Sequence, residues 1–404
     1  MRKLTALSLL LFLAAACQEP LLDSVPRFLR EQDRFSRDAR EGNKPGEPGD
    51  PEEPGYIPTV YATAFHFRDS VTNLLFFRGG ECLLQLLVNS PPDPERHRIW
   101  DGHLWTDSTD GHVTIISCDG QEKFRYEGEE HLQGFLLVNG NVHTLGQRPG
   151  RDGFCYRING ETVFDSPRGS VLGSPSDPDW LGGALSLDGE DVYYAYSLPI
   201  ALKDHVFREY HVMRGTQHYK TIPAGSSDAL YDLRVHEGQV IRLERRDNAL
   251  YWVSGEEERA LDISLSDFVS GKLVKFSTSV TARVLTRTWG TTCQHWYYIP
   301  QVGMFQSVVI GQSERGVLAL RDWNWAFADI GPDGRFLKLA YNYPPAPPVP
   351  EGDFTLATPA GLFVSNGHFA VALTGSSGNT HVVVSDVGQY SYTFNGYFTS
   401  VRME

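Results

Sequence analysis

Four tryptophans, Trp180, Trp289, Trp323 and Trp325, stand in or beside Gly-, Pro- and Ser-rich stretches rather than inside apolar runs. An indole so placed offers a flat apolar face that matches the axial C–H surface of a sugar ring, and an N–H that donates a hydrogen bond. Arg148, Arg151 and Asp152 in GQRPGRDG, with Asp177 and Asp179 in SDPDWL, are the polar groups that can complete such a contact. Together these nine residues form the candidate ligand-binding set. For each Trp the competing role is to plug a mouth or anchor its own loop, and for each charged residue a solvated turn.

Covalent chemistry has no comparable signal. The chain contains no G-x-S-x-G elbow, Walker loop, H-E-x-x-H pair or dinucleotide fingerprint. The triplets Asp101-Gly102-His103 and Asp110-Gly111-His112 open and close one expected strand, so they lie roughly 30 Å apart along an extended chain, too far for one ion. The cysteines after residue 17, Cys82, Cys118, Cys155 and Cys293, lie in apolar runs without zinc-ligand spacing and read as buried free thiols. No metal, cofactor or catalytic residue is expected. Loop Asp residues are too numerous to single out the convergent carboxylate pair that glycoside hydrolysis needs.

Loop residues must be carried by a scaffold, and the turns describe it. Gly102, Gly140, Gly189, Gly238, Gly334 and Gly367 each precede an alternating or aromatic run. Two intervals in that series are 49 residues and one is 96, so a member with a degraded turn is expected near Ala282. A second series, Gly120, Gly160, Gly215, Gly255, Gly303 and Gly388, falls between them. Asn-Gly and Asp-Gly pairs flanked by such runs mark tight hairpins, because Gly accepts the positive φ the turn demands. Each repeat reads strand, tight turn, strand, loop, strand, tight turn, strand.

Four antiparallel strands every 40–50 residues make a β-propeller blade. The expected fold class is all-β: a propeller of seven four-stranded blades, or six if the interruption at YNYPPAPPVPEGD removes one. Tandem β-sandwiches are the alternative. Both tight turns of each blade then fall on one face of the disc, and the long connections on the other. Those connections are Gly146–Gly153, Ser166–Gly183, Ser197–His205, Arg287–Cys293, Gly311–Trp325 and Tyr341–Asp353. Loops on a rigid scaffold carry binding groups, so the long-loop face is the expected binding face. Trp105, Trp252 and Trp296, inside apolar strands, are expected in the core.

Ahead of the repeats, Arg2 and Lys3 precede an apolar run, Leu4–Leu13, too short to span a bilayer, and Ala14-Ala15-Ala16 stands directly before Cys17. This segment resembles the lipobox of bacterial lipoproteins, with Ala14 where that family prefers Leu. The resemblance implies cleavage after residue 16, a diacylglycerol thioether on Cys17, and, with Gln18 next, sorting to the outer membrane. GNKPGEPGDPEEPG at 42–55 cannot bury enough apolar surface to fold and reads as a semi-stiff spacer. The expected organisation is 1–16 signal peptide, 17–57 lipidated cysteine and tether, and 58–404 propeller. In architecture alone the chain resembles propeller lipoproteins of Bacteroidota-type bacteria.

With 50 acidic against 36 basic residues, a net charge of −14, the chain lacks the clustered cations that phosphate binding requires, and no nucleic-acid partner is expected. The expected function is that of an exported, membrane-anchored binding or scaffold module with a glycan or protein ligand. A propeller-type glycoside hydrolase or polysaccharide lyase is one alternative. A structural subunit of an envelope complex is the other.

Overall fold

The computed structural model describes residues 57–404 except 89–91, 152, 176, 178–179, 181, 203–204, 224–228, 277–278, 288–292, 301–302, 307–316, 322–323, 331–335, 342–353, 358–360 and 366–367. Among the described residues all regular structure is β apart from two short 3-10 turns.

Strands follow one another in sequential antiparallel sheets. β1 (Val60–Arg68), β2 (Val71–Arg78) and β3 (Glu81–Val88) belong to the first sheet, and β4 (His97–Trp100), β5 (His103–Thr109), β6 (Val113–Cys118) and β7 (Gln121–Glu127) to the second. The third runs through β8 (His131–Val138), β9 (Asn141–Gln147), β10 (Phe154–Ile158) and β11 (Glu161–Ser166). The fourth holds β12 (Ser170–Val171), β13 (Ser186–Asp188), β14 (Asp191–Leu202), β15 (His205–Arg214) and β16 (Gln217–Pro223). The fifth spans β17 (Ala229–His236), β18 (Gln239–Arg246), β19 (Ala249–Ser254) and β20 (Glu257–Leu261). The sixth begins with β21 (Phe268–Phe276) and β22 (Ser279–Arg287) and ends with β23 (Cys293–Ile299) and β24 (Gly303–Gln306). The seventh shows β25 (Val317–Arg321), β26 (Asn324–Ile330) and β27 (Phe336–Tyr341). In the eighth are β28 (Phe354–Leu356), β29 (Leu362–Ser365), β30 (His368–Gly375), β31 (Thr380–Ser385) and β32 (Gly388–Thr393), after which β33 (Gly396–Met403) returns to the first sheet.

Packing identifies the propeller. Apolar clusters lie between successive sheets: Phe65, Phe76 and Leu104 between the first and second, Trp105 and Phe135 between the second and third, and Trp252 and Leu273 between the fifth and sixth. Another cluster joins the eighth sheet back to the first through Ala370, Val383 and Phe398. Inner strands are buried on both faces and therefore read as apolar runs, whereas an outer strand such as β7 is exposed or half-buried throughout. The core is thus a ring of interfaces between radially stacked sheets. Trp105 and Trp252 are buried in it as expected.

The seven expected turn markers each fall in a different sheet, the second to the eighth. The remaining sheet is built from both chain ends: β33 is its innermost strand and pairs with β1 from Val60↔Met403 to His66↔Gly396. β1 and β2 follow it outward, and β3 is the outermost of the four strands.

Asn-Gly turns behave as the hairpin argument requires: Asn159 and Gly160 have φ of 51° and 83°, the left-handed pair of a type I′ turn. Two details of the turn assignment change. Gly334 falls between β26 and β27, whereas the first two strands of the seventh sheet, β25 and β26, pair up to Arg321↔Asn324. Ser197–His205 is no loop, since β14 and β15 continue as a ladder to Leu202↔His205. Among the cysteines, Cys118 and Cys155 are buried free thiols, but Cys82, on the outer strand β3, is exposed.

Candidate functional site

The connection from β11 to β13 does not rise above the disc but folds into its axis. Ala184 donates its N–H to the Gln133 carbonyl at 2.9 Å, the Phe135 N–H reaches the Gly182 carbonyl at 3.1 Å, and Gly183 forms a bridge to Gly134. These contacts use the free edge of β8, the innermost strand of the third sheet. A Cβ on Gly134 would strike Leu185, which is why the connection can lie this close. From there the segment reaches the innermost strands of the fifth and sixth sheets. Because it is tied to inner strands at three positions around the ring, it is a plug in the central channel.

Two of the sequence candidates hold that plug. Trp180 is 8% exposed, and its indole N–H donates to the Leu273 carbonyl of β21 at 3.0 Å. The Arg234 guanidinium of β17 covers its ring at 4.8 Å, a cation–π contact. Asp177, 3% exposed, accepts from Arg234 Nη2 at 2.6 Å and faces Lys272 Nζ at 3.5 Å. Arg234 also donates to the Gly183 carbonyl at 2.9 Å and pairs with Asp232 at 3.4 Å. Asp232 completes the lock by accepting the Leu273 N–H at 2.9 Å. Burial pushes the Asp232 carboxyl up, Arg234 pulls it down, and the nearby Asp177 charge adds to the rise; the net shift is upward.

The other candidates scatter. Arg148 clamps its connection onto β11, donating to Asp165 Oδ1 at 2.6 Å and the Ser166 carbonyl at 2.9 Å. Arg151 ends the 3-10 turn Pro149–Arg151 beside it. Trp325 lies in β26, one residue in from the end joined to β25. Since β25 is an inner strand packed against β21 and β29, that end belongs to the tight-turn face, and the expected placement of Trp325 on the long-loop face is corrected. Asp152, Asp179, Trp289 and Trp323 lie outside the described residues, as does Cys17. Trp180 and Asp177 are therefore together; the rest of the set is not assembled around them. The residues that sequence reasoning missed are Arg234, Asp232 and Lys272, whose signal was charge in the middle of inner strands.

A second buried polar cluster joins the first three sheets. Arg157 Nη1 donates to Glu130 Oε1 at 2.6 Å with both side chains about 5% exposed or less, and its guanidinium lies 3.7 Å from the Tyr126 ring centroid. Gly146 makes room for this pair, since a Cβ there would run into the Glu130 carboxylate. Gly146→Ala is expected to lower stability by at least about 1–3 kcal/mol through overpacking, read as a lower urea midpoint; an unchanged midpoint would show that Glu130 can move aside freely. Nearby, Asp107 lies 3.6 Å from Arg96 and 3.7 Å from Arg98, and burial pushes its carboxyl up to about 6. His97 bonds Thr399 of β33 at 2.8 Å, and burial, aided by Arg98, lowers it to about 4.

On the long-loop face one element projects. β16 ends opposite Glu209, while the β14–β15 ladder continues from Pro199↔Arg208 to Leu202↔His205 as a two-stranded arm.

No family model and no curated protein sequence matches the chain. Solved structures similar to it include apo AztD from Citrobacter koseri, at 10% identity and TM-score 0.47, covering 86% of this chain and 98% of that one. The β-propeller domain of the Trilobed protease from Pyrococcus furiosus aligns at 9% identity and TM-score 0.42, over 84% and 97% of the two chains. BamB from Moraxella catarrhalis aligns at 12% identity and TM-score 0.40, over 82% and 96%. Likenesses this remote assign no activity.

Proposed function

We propose that this chain is an exported propeller held at the outer membrane by a diacylglycerol on Cys17, and that it works as a non-enzymatic binding or scaffold module. Its ligand, a glycan or a protein, is met on the long-loop face. The observation that carries this reading is the plug. The buried carboxylates described in the channel, Asp177 and Asp232, are bound by Arg234 and by backbone N–H groups rather than facing a substrate. A glycosidase needs two accessible carboxylates converging on the scissile bond; here the charges hold a loop in place. On the long-loop face the β14–β15 ladder extends beyond β16 as an arm.

The mature, acylated protein probed against an array of soluble and cell-wall polysaccharides is the direct test. Retention on one polysaccharide class, weakened at least tenfold by Arg208→Glu on the arm and unaffected by Glu256→Ala on the tight-turn face, is the expected result. No retention, or loss through Glu256→Ala instead, overturns the glycan form of the reading; release of shorter sugars overturns its non-enzymatic form. Cys17→Ser should abolish incorporation of labelled palmitate.

A further inference from the structure

On the tight-turn face five of the sheets share a device. The first residue of the second strand meets the residue just before or opening the turn between the third and fourth strands. The pairs are His103–Asp119 at 2.6 Å, Asn141–Asn159 at 2.8 Å, Asp191–Arg214 at 2.5 Å, Gln239–Ser254 at 2.9 Å and His368–Asp386 at 2.6 Å. Each latches the two turns of one blade together. In the two His–Asp cases the second carboxylate oxygen also accepts a backbone N–H, from Leu104 at 2.9 Å and from Phe369 at 3.1 Å.

These two latches differ at the residue before the Asp. That residue is Ser385 in the eighth sheet, where its hydroxyl donates to the Gly388 carbonyl at 2.9 Å. In the second sheet it is Cys118, a free thiol. There the His103 ring nitrogen, the Cys118 sulfur and an Asp119 carboxylate oxygen all lie within 4.8 Å of one another. Donors around a tetrahedral zinc ion stand roughly 3.3–3.6 Å apart, from metal–ligand bonds of about 2.0–2.3 Å. From 2.6 Å the His–Asp contact must therefore open by less than about 1 Å, and the sulfur, within 4.8 Å, must close by up to roughly 1.5 Å. His103 and Asp119 are 55% and 34% exposed, so an ion can enter and keep water as its fourth ligand. The Leu104 N–H already orients the carboxylate, the role a supporting hydrogen bond has in a metal site. The two Asp-Gly-His triplets do not meet; His103 instead meets groups 15 and 16 residues away across the strand, a pairing set by the sheet register.

We propose that His103 Nδ1, Cys118 Sγ and Asp119 Oδ2 form a surface site for a borderline-soft divalent cation of the Zn²⁺ class. Thiolate, imidazole and carboxylate together select such ions over Mg²⁺ and Ca²⁺, which take oxygen donors. Binding exchanges the thiol proton for the metal, releases that proton to solvent, and changes no oxidation state.

The test is Co²⁺ titration of the reduced, metal-stripped mature chain. One equivalent should produce a thiolate-to-cobalt charge-transfer band in the near ultraviolet that Zn²⁺ displaces. Cys118→Ser should abolish that band, and His103→Gln should weaken binding at least tenfold. Ser385→Cys should create a second equivalent at the eighth-sheet latch, a gain that loss of folding cannot mimic. A wild-type chain without the band, or a band that survives Cys118→Ser, overturns the site.

Discussion

Arg234→Met should cost the mature protein about 3–5 kcal/mol, and the segment 172–185 should become the first place a protease cuts. Arg234 faces two carboxylates, Asp177 and Asp232, with all three side chains 6% exposed or less. Removing the cation leaves two buried negative charges uncompensated, and it is this residue of unpaired charge, rather than the strength of the lost bonds, that sets the magnitude. Lys272 offsets little of it, because at 3.5 Å and 39% exposure its attraction to Asp177 is weakened by solvent. Trp180 loses the guanidinium over its ring and Gly183 loses a donor, so the plug is released from β17 even while the Leu273 contact remains. Adding Asp177→Asn to Arg234→Met removes one of the uncompensated charges and should restore a large part of the loss. Urea midpoints and limited proteolysis read both effects. A single variant within about 1 kcal/mol of wild type, or a double variant no better than the single, would show that the network does not hold the plug.

The blade repeat was legible because each tight turn needs a residue that accepts positive φ, and Gly marks it in the chain. Where the marker was absent, as at 277–278, the interval still located the strand Ser279–Arg287. The closing sheet was only partly legible, since its inner strand is the last in sequence and pairs with the first. Trp180 shows the harder limit. Its neighbours are those of an exposed loop, and what turns it inward is the free edge of β8 together with Gly134, more than 40 residues away. Trp325 was misplaced for a simpler reason: with Gly334 taken as the first turn, the preceding residues had to form a long connection, and β26 occupies them instead. Asp232 and Arg234 interrupt an apolar inner strand, but one charged residue in an alternating run also fits an outward-facing position, so the interruption alone did not reveal a buried pair.

In acid, Asp107 and His97 are expected to act on stability in opposition. The Asp107 carboxyl, at about 6 in the fold against an ordinary 3.8, keeps its proton between those values while the unfolded chain has released it. Its stabilising contribution is complete below about 3.8 and is lost as pH rises through about 6. His97, at about 4 in the fold against an ordinary 6.5, is neutral over a range where the unfolded chain has taken up a proton. Its contribution is complete above about 6.5 and is lost as pH falls through about 4. Each shift is roughly two pH units, on the order of 3 kcal/mol across its window. Near pH 5 folding releases a proton from His97 and takes one up on Asp107, so the pair together leaves stability almost independent of pH. Removing either partner should uncover the other. Relative to wild type, His97→Gln should lose stability progressively as pH rises from 4 to 6, because the Asp107 slope is no longer cancelled. Asp107→Asn should gain over the same range by a similar amount, on the order of 3 kcal/mol. Urea midpoints measured at half-unit steps of pH give both difference curves. Slopes of the same sign, or two flat curves, would mean that water reaches these groups, His97 against Thr399 of β33 and Asp107 beside Arg96 and Arg98, and that they are not buried neutral in the fold.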